Sequence, residues 1–185
     1  EEARMETIKY KKEQLTKAVQ ITFHSDQKLD YDREVFFRGG YLFPQSFYYR
    51  LQLDKICRKL RDKHRFKYDI NAILSDLIYA RILEPDSKRS SYKTAFEFLE
   101  RPSYQLHDLY RALDILGNEC DFIQSEVYKN SHLLGKRNDK ILYYDCTNYY
   151  FEMEQEEGDI KYGKSKEHRP NPIIQMGMFM DGDGI

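Results

Sequence analysis

Asp145 lies inside the nearly continuous apolar and aromatic run Ile141-Leu142-Tyr143-Tyr144-Asp145-Cys146-Thr147-Asn148-Tyr149-Tyr150-Phe151. Aspartate is depleted in strands, and a carboxylate withdrawn from water is costly unless it is paired or bound to a metal. One chemistry suits it well. A carboxylate at the end of a core strand can help hold divalent ions, and two such ions roughly 3.5–4 Å apart activate an attacking hydroxyl and stabilise a leaving one. Magnesium fits this role because it prefers carboxylate, water and phosphate oxygens. A local reading stays open beside it: Asp145 caps a turn with Thr147 or Asn148, or pairs with an arginine.

Cations form the second group. An acidic loop follows the Asp145 run, with Glu152, Glu154, Glu156, Glu157 and Asp159 around Gly158; the charge then reverses through Lys161, Lys164, Lys166, His168 and Arg169. Pro170 and Pro172 favour extended backbone at Arg169 and Asn171. Lys164, Lys166, His168 and Arg169 are the local candidates for contact with DNA phosphates, Arg as a bidentate fork and Lys as a mobile point charge. Alternatively, Arg169 pairs with the acidic loop. A further excess runs from Arg50 to Lys67, where only Asp54 and Asp62 oppose Arg50, Lys55, Arg58, Lys59, Arg61, Lys63, Arg65 and Lys67. Arg58 and Arg61 are its candidate phosphate contacts, the other reading being a solvated helix face. Asp181-Gly182-Asp183-Gly184 lacks the spaced ligands and distal Glu of a calcium loop and reads as a hairpin turn.

The elements that must carry these residues are of two kinds. After Gly39-Gly40 and Pro44 the pattern is helical, with an apolar stripe of Phe47, Tyr48, Leu51, Ile56, Cys57 and Leu60. Asp69 is a good N-cap for a helix with core positions Ile70, Ile73, Leu74, Leu77 and Ile78. Pro85-Asp86-Ser87 opens a third helix with Tyr92, Ala95, Phe96 and Leu99 inward, and Arg101-Pro102-Ser103 ends it. A fourth carries Leu106, Leu109, Tyr110, Leu113 and Leu116 up to Gly117, and a fifth starts near Glu119 and ends near Gly135. Upstream, Glu1 to Val19 is charged and weakly helical, and Val19 to Phe23 alternates like a short strand. Beyond Gly135-Lys136-Arg137-Asn138 the pattern becomes that of strands: Ile141 to Phe151 reads as a buried strand and Ile173 to Met180 as a second. A third strand would follow the turn at Asp181 but lies beyond Ile185.

The chain has 185 residues and a net charge of −1, so its sum does not advertise nucleic-acid binding; 41% hydrophobic and 33% charged residues indicate a soluble globular protein. No apolar run reaches the length of a membrane span, and no signal segment opens the chain. Cys57, Cys120 and Cys146 are far apart with no CxxC spacing. This argues against a disulfide scaffold or a zinc site and for a reducing cytoplasm. No Cys–His–Asn arrangement for thiol catalysis is evident.

The block Leu142-Tyr143-Tyr144-Asp145-Cys146-Thr147-Asn148-Tyr149-Tyr150-Phe151-Glu152 resembles the first catalytic block of insertion-sequence transposases with a DDE, RNase H-like catalytic domain. Tyr162-Gly163-Lys164-Ser165-Lys166-Glu167-His168-Arg169-Pro170-Asn171-Pro172 and Gln175-Met176-Gly177 through Asp183-Gly184-Ile185 are similar to the blocks that follow in one subgroup. Gly40-Tyr41-Leu42-Phe43 and Leu106-His107-Asp108-Leu109-Tyr110-Arg111-Ala112-Leu113 are similar to its helical region. The resemblance covers most of the chain after about Asp30. It implies that Asp145 is the first metal-binding acid of the catalytic triad, that the second Asp and the Glu fall beyond Ile185, and that the helical region is a DNA-binding part.

The expectation is therefore an α+β chain: a mainly helical N-terminal region, residues 1–139, followed by the first strands of an incomplete RNase H-like domain, residues 140–185. The implied activity is cut-and-paste DNA transposition of a mobile element by Mg²⁺- or Mn²⁺-dependent phosphoryl transfer. This stretch alone is expected to be inactive. The implied partners are double-stranded DNA, at transposon ends and target, and a second copy of the chain on that DNA, in a bacterial cytoplasm at the nucleoid. A rival is a non-catalytic product that binds transposon ends or inhibits the transposase. Another is a helical interaction domain with no DNA role.

Overall fold

The structure, a computed structural model, describes residues 36–138, 140–164, 170–182 and 184. The strand expected at Val19–Phe23 lies outside them. The chain is α+β, with six helices and one two-stranded antiparallel sheet among the described residues. It divides between Leu134 and Gly135 into two compact units.

The first unit is helical: α1 (Leu42–Arg50), α2 (Leu53–His64), α3 (Ile70–Leu83), α4 (Lys88–Ala95), α5 (Leu106–Asn118) and α6 (Cys120–Ser131). The apolar stripe from Phe47 to Leu60 is split between two helices. Gln52 takes a left-handed conformation, φ 57°, which ends the hydrogen-bond ladder of α1 and restarts it as α2. Such a conformation costs a non-glycine residue roughly 1–2 kcal/mol. Part of the compensation is visible at the break, where the Leu51 carbonyl accepts a 2.9 Å hydrogen bond from Asn130 Nδ2 on α6. Pro44 sits in the first turn of α1, where its missing N–H removes no helical bond.

The other starts follow side-chain capping. Asp69 Oδ1 accepts from the backbone N–H groups of Asn71 and Ala72 at 3.0 and 3.1 Å, and Ser87 Oγ accepts from Ser90 N at 3.2 Å. The Gln105 N–H donates to Asp108 Oδ2 at 3.1 Å. Each such cap stabilises its helix by about 1 kcal/mol. Gly117 does not end α5, which runs on to Asn118; the chain turns at Glu119, φ −104° and ψ 16°.

Helix α3 is apolar nearly all round and accordingly central: it packs against α1, α2, α4 and α5. The core has two parts. Cys57, Leu60, Ile70, Ile73, Leu77, Tyr104, Leu109 and Ala112 form one. Tyr41, Tyr48, Leu53, Ile56, Tyr79, Ala95 and Phe98 form the other, with Tyr41 stacked on Phe98 at a centroid separation of 4.6 Å. Phe96, expected inward, is exposed, and Phe98 is buried in its place. After Ala95 the bonds change to the tighter type: Phe96, Glu97 and Phe98 N–H groups donate to Lys93, Thr94 and Ala95 carbonyls. With three residues per turn, positions i and i+3 eclipse, so Phe98 falls in line with buried Ala95.

The second unit contains β1 (Leu142–Tyr150) and β2 (Ile173–Asp181), paired antiparallel from Leu142↔Asp181 to Tyr150↔Ile173. Between them a small turn closes at Glu157 and Ile160, which exchange backbone hydrogen bonds of 3.2 and 2.8 Å around Gly158 in the left-handed region, φ 53°. Lys161 and Ile173 then exchange bonds of 3.0 and 2.7 Å.

Candidate functional site

Asp145 sits in the middle of β1, opposite Met178. Residues opposite one another share a face, and faces alternate along a strand. Asp145 therefore shares its face with Tyr143, Thr147 and Tyr149 of β1 and with Met176, Met178 and Met180 of β2. Asp145, Tyr143, Tyr149 and the three methionines are exposed. The opposite face carries exposed Leu142, Tyr144 and Phe179. The strand was expected to be buried. In this unit β1 pairs only with β2, and no second layer covers either face among the described residues.

Gly177 has a specific reason to be glycine. A Cβ there would stand 2.7 Å from the Tyr144 hydroxyl oxygen. The bare backbone lets the Tyr144 ring lie across β2 and pack on Phe179, with centroids 4.7 Å apart. The Tyr144 hydroxyl lies 2.8 Å from Cys146 Sγ.

Asp181 closes β2 rather than standing in the turn. Its carboxylate is almost fully buried and pairs with Arg137, itself largely buried. The Asn138 carbonyl accepts from Gly182 N at 3.1 Å, and Gly184 N donates to Asp181 O at 3.0 Å, closing the turn beyond the strand. Sequence reading missed this pair because its two halves lie on opposite sides of the strand hairpin.

The described residues hold no group of three or more His, Cys, Asp or Glu side chains placed to bind a metal. Asp145 supplies one carboxylate, and a set for two ions does not form around it from these residues. In the acidic loop, Glu156 accepts from Tyr162 N at 2.8 Å and lies 3.4 Å from Lys161 Nζ; the Tyr162 backbone contact, more than the lysine, holds its carboxyl below the usual range. The Lys164 carbonyl accepts from Gln175 Nε2 at 3.3 Å, which also donates to Asn148 Oδ1 at 3.2 Å. That places the Lys164 backbone beside the face opposite Asp145. Lys166, His168 and Arg169 lie outside the described residues.

In the helical unit the basic stretch resolves into two populations. Arg58 pairs with Asp54 one turn back at 2.5 Å. Lys59 reaches Glu126 at 2.5 Å, and Lys63 and His64 reach Glu119 at 2.6 and 2.8 Å. Arg50 donates to the Leu134 carbonyl at 3.4 Å. Lys55, Arg61, Arg65 and Lys67 have no carboxylate partner among the described residues. Arg58, Arg61 and Lys67 line a cleft of about 190 Å³ together with Cys57, Tyr68, Asp69, Ile70 and Asn71.

The Glu119 contacts make stability depend on pH. Hydrogen bonds from Lys63 and His64 hold its carboxyl below the usual range. A depressed native pKa contributes stability that is present above the unfolded value, about 4.3, and is lost as pH falls through the native one. Urea unfolding of the helical unit should therefore show a stability decrease between pH 5 and pH 3 that is smaller in Glu119→Gln. An identical decrease in the variant would remove Glu119 from the acid response.

No helix among the described residues is long and apolar enough to cross a membrane. Neither family models, nor curated proteins, nor solved structures yield a match to this chain.

Proposed function

We propose that this chain is the N-terminal part of a DDE transposase: a helical DNA-binding region followed by the opening strands of an RNase H-like catalytic domain. The observation that carries the reading is one acidic residue, Asp145, at the centre of a strand of nine residues that pairs along its whole length with the next strand. This is the arrangement with which the RNase H-like reading has the catalytic domain begin, and the block around Asp145 resembles the first catalytic block of these enzymes. The parent enzyme cuts DNA at the ends of an insertion sequence and joins the freed 3′ hydroxyl to a target. Asp145 contributes one carboxylate to the ion-binding set, and the second Asp and the Glu lie beyond Ile185.

The test has two arms. The chain of 185 residues, incubated with plasmid DNA carrying the element's ends in Mg²⁺ or Mn²⁺, should leave the DNA intact, because one carboxylate cannot organise two ions. The protein encoded by the frame continued past Ile185 should nick at those ends. Nicking by the short chain that disappears in Asp145→Ala would show that no further acids are needed. A frame that stops near Ile185, in a product that binds the ends and dampens a complete transposase, would favour the regulatory alternative.

A further inference from the structure

We propose that the cleft between the second half of α2 and the start of α3 binds one phosphate group of a polynucleotide backbone, with Arg61 and Lys67 as its grip. This rests on the DNA-binding reading of the helical unit and says where in it the backbone is held. The basic stretch as a whole is a poor guide, because Lys59, Lys63 and His64 are spent on Glu126 and Glu119, and Arg58 on Asp54. Cations already paired with carboxylates gain little from a phosphate, since one pairing replaces another. Arg61 and Lys67 have no such partner among the described residues, and both line the same cleft.

The other lining groups leave that charge uncompensated. Asp69 is the only carboxylate of the lining, and its Oδ1 already accepts two backbone N–H groups of α3. The Cys57 thiol is buried, which pushes its pKa up to about 11, so it carries no charge near neutrality. Two unpaired cations, Arg61 and Lys67, thus stand against one engaged carboxylate.

The cleft is also built rather than incidental. Arg65 adopts a left-handed conformation, φ 54°, and its N–H donates to the Arg61 carbonyl at 2.8 Å, ending α2. The chain turns there into Phe66-Lys67-Tyr68, where the two rings stack at 4.7 Å and 10° and pack against the core. Lys67 is carried between those anchored rings. A fixed loop reduces the entropy lost when its lysine closes on an anion, and the Arg61 guanidinium supplies a planar fork for phosphate oxygens. Arg65, just past the end of α2, is a further cation with no carboxylate partner among the described residues. Cations beyond a single cleft suit a polyanion better than an isolated ion.

The test is a salt titration of the full chain binding a fluorescent mixed-sequence duplex, followed by anisotropy. Arg61→Ala with Lys67→Ala should flatten the log–log dependence of affinity on salt by about 0.9, the value of one phosphate. Lys59→Ala with Lys63→Ala should leave the slope unchanged. Thermal melts check that both variants fold, and Arg61→Gln with Lys67→Gln replaces the alanine pair if it does not. An unaltered slope in the cleft variant overturns the cleft while leaving DNA binding standing, and equal flattening in the control overturns it as a specific grip. No duplex binding by the wild-type chain at low salt overturns the DNA-binding reading and this proposal with it. Inorganic phosphate is the remaining arm. A melting temperature that rises with phosphate in the wild type but not in the cleft variant, without duplex binding, would make this a small-anion site and overturn the polynucleotide assignment.

Discussion

On the proposed transposase reading, Asp145→Asn should lower strand cleavage by the complete enzyme by on the order of 10²–10³-fold, the scale seen when one preorganised charge-stabilising group is removed. The same substitution should change this chain's stability by under about 1 kcal/mol, because Asp145 is exposed. Both parts follow from position. Asp145 is exposed on β1 opposite Met178, so asparagine fits the same space without leaving a cavity. What changes is the carboxylate charge, which an amide cannot replace as a ligand for a hard cation. Unfolding curves of the short chain and end-cleavage assays of the longer protein read the two effects separately. Near-normal cleavage in the variant would take Asp145 out of the site, whereas a large stability loss would mean that its carboxylate is chiefly structural.

Phe98→Ala should destabilise the helical unit by about 3–5 kcal/mol, the range for removing a fully buried aromatic side chain. Phe98 is fully buried, stacks on Tyr41 and lies 6.3 Å from Tyr79 between ring centroids. Its removal opens a cavity that two stiff aromatic neighbours, Tyr41 and Tyr79, cannot readily fill. Phe96→Ala, two residues away, should cost under about 1 kcal/mol, because that ring is exposed and only edges onto Tyr92. Urea unfolding followed by the helical circular dichroism signal distinguishes them. Similar costs at the two positions would contradict the burial assigned to this turn.

The contrast between Phe96 and Phe98 shows how local pattern and tertiary packing divide the work. The period of 3.6 residues placed Tyr92, Ala95, Phe96 and Leu99 on one face, which holds only while the helix continues. The chain leaves that geometry after Ala95, and no residue in the stretch announces it. The break at Gln52 is similar. Neither glycine nor proline marks it, because the left-handed turn is imposed by packing and by a carbonyl bond from distant Asn130. The start of α3, by contrast, was legible from Asp69, since a capping side chain bonds N–H groups two or three residues away, and that of α4 from the break at Pro85-Asp86-Ser87.

The candidate site divides in the same way. The nearly continuous apolar runs and the turn residues of 141–182 were enough to expect two strands and to place Asp145 within the first, because strand propensity acts over neighbouring residues. The register that sets Asp145 opposite Met178, and the buried pairing of Asp181 with Arg137, depend on residues more than thirty apart in the chain. So does the sorting of the basic stretch. Arg58, Lys59, Arg61, Lys63 and Lys67 are equivalent cations in the one-dimensional chain, and only the fold brings Glu119 and Glu126 to two of them while leaving Arg61 and Lys67 open. Charge composition is local, but neutralisation requires a partner within about 4 Å, and that distance is set by how the helices pack.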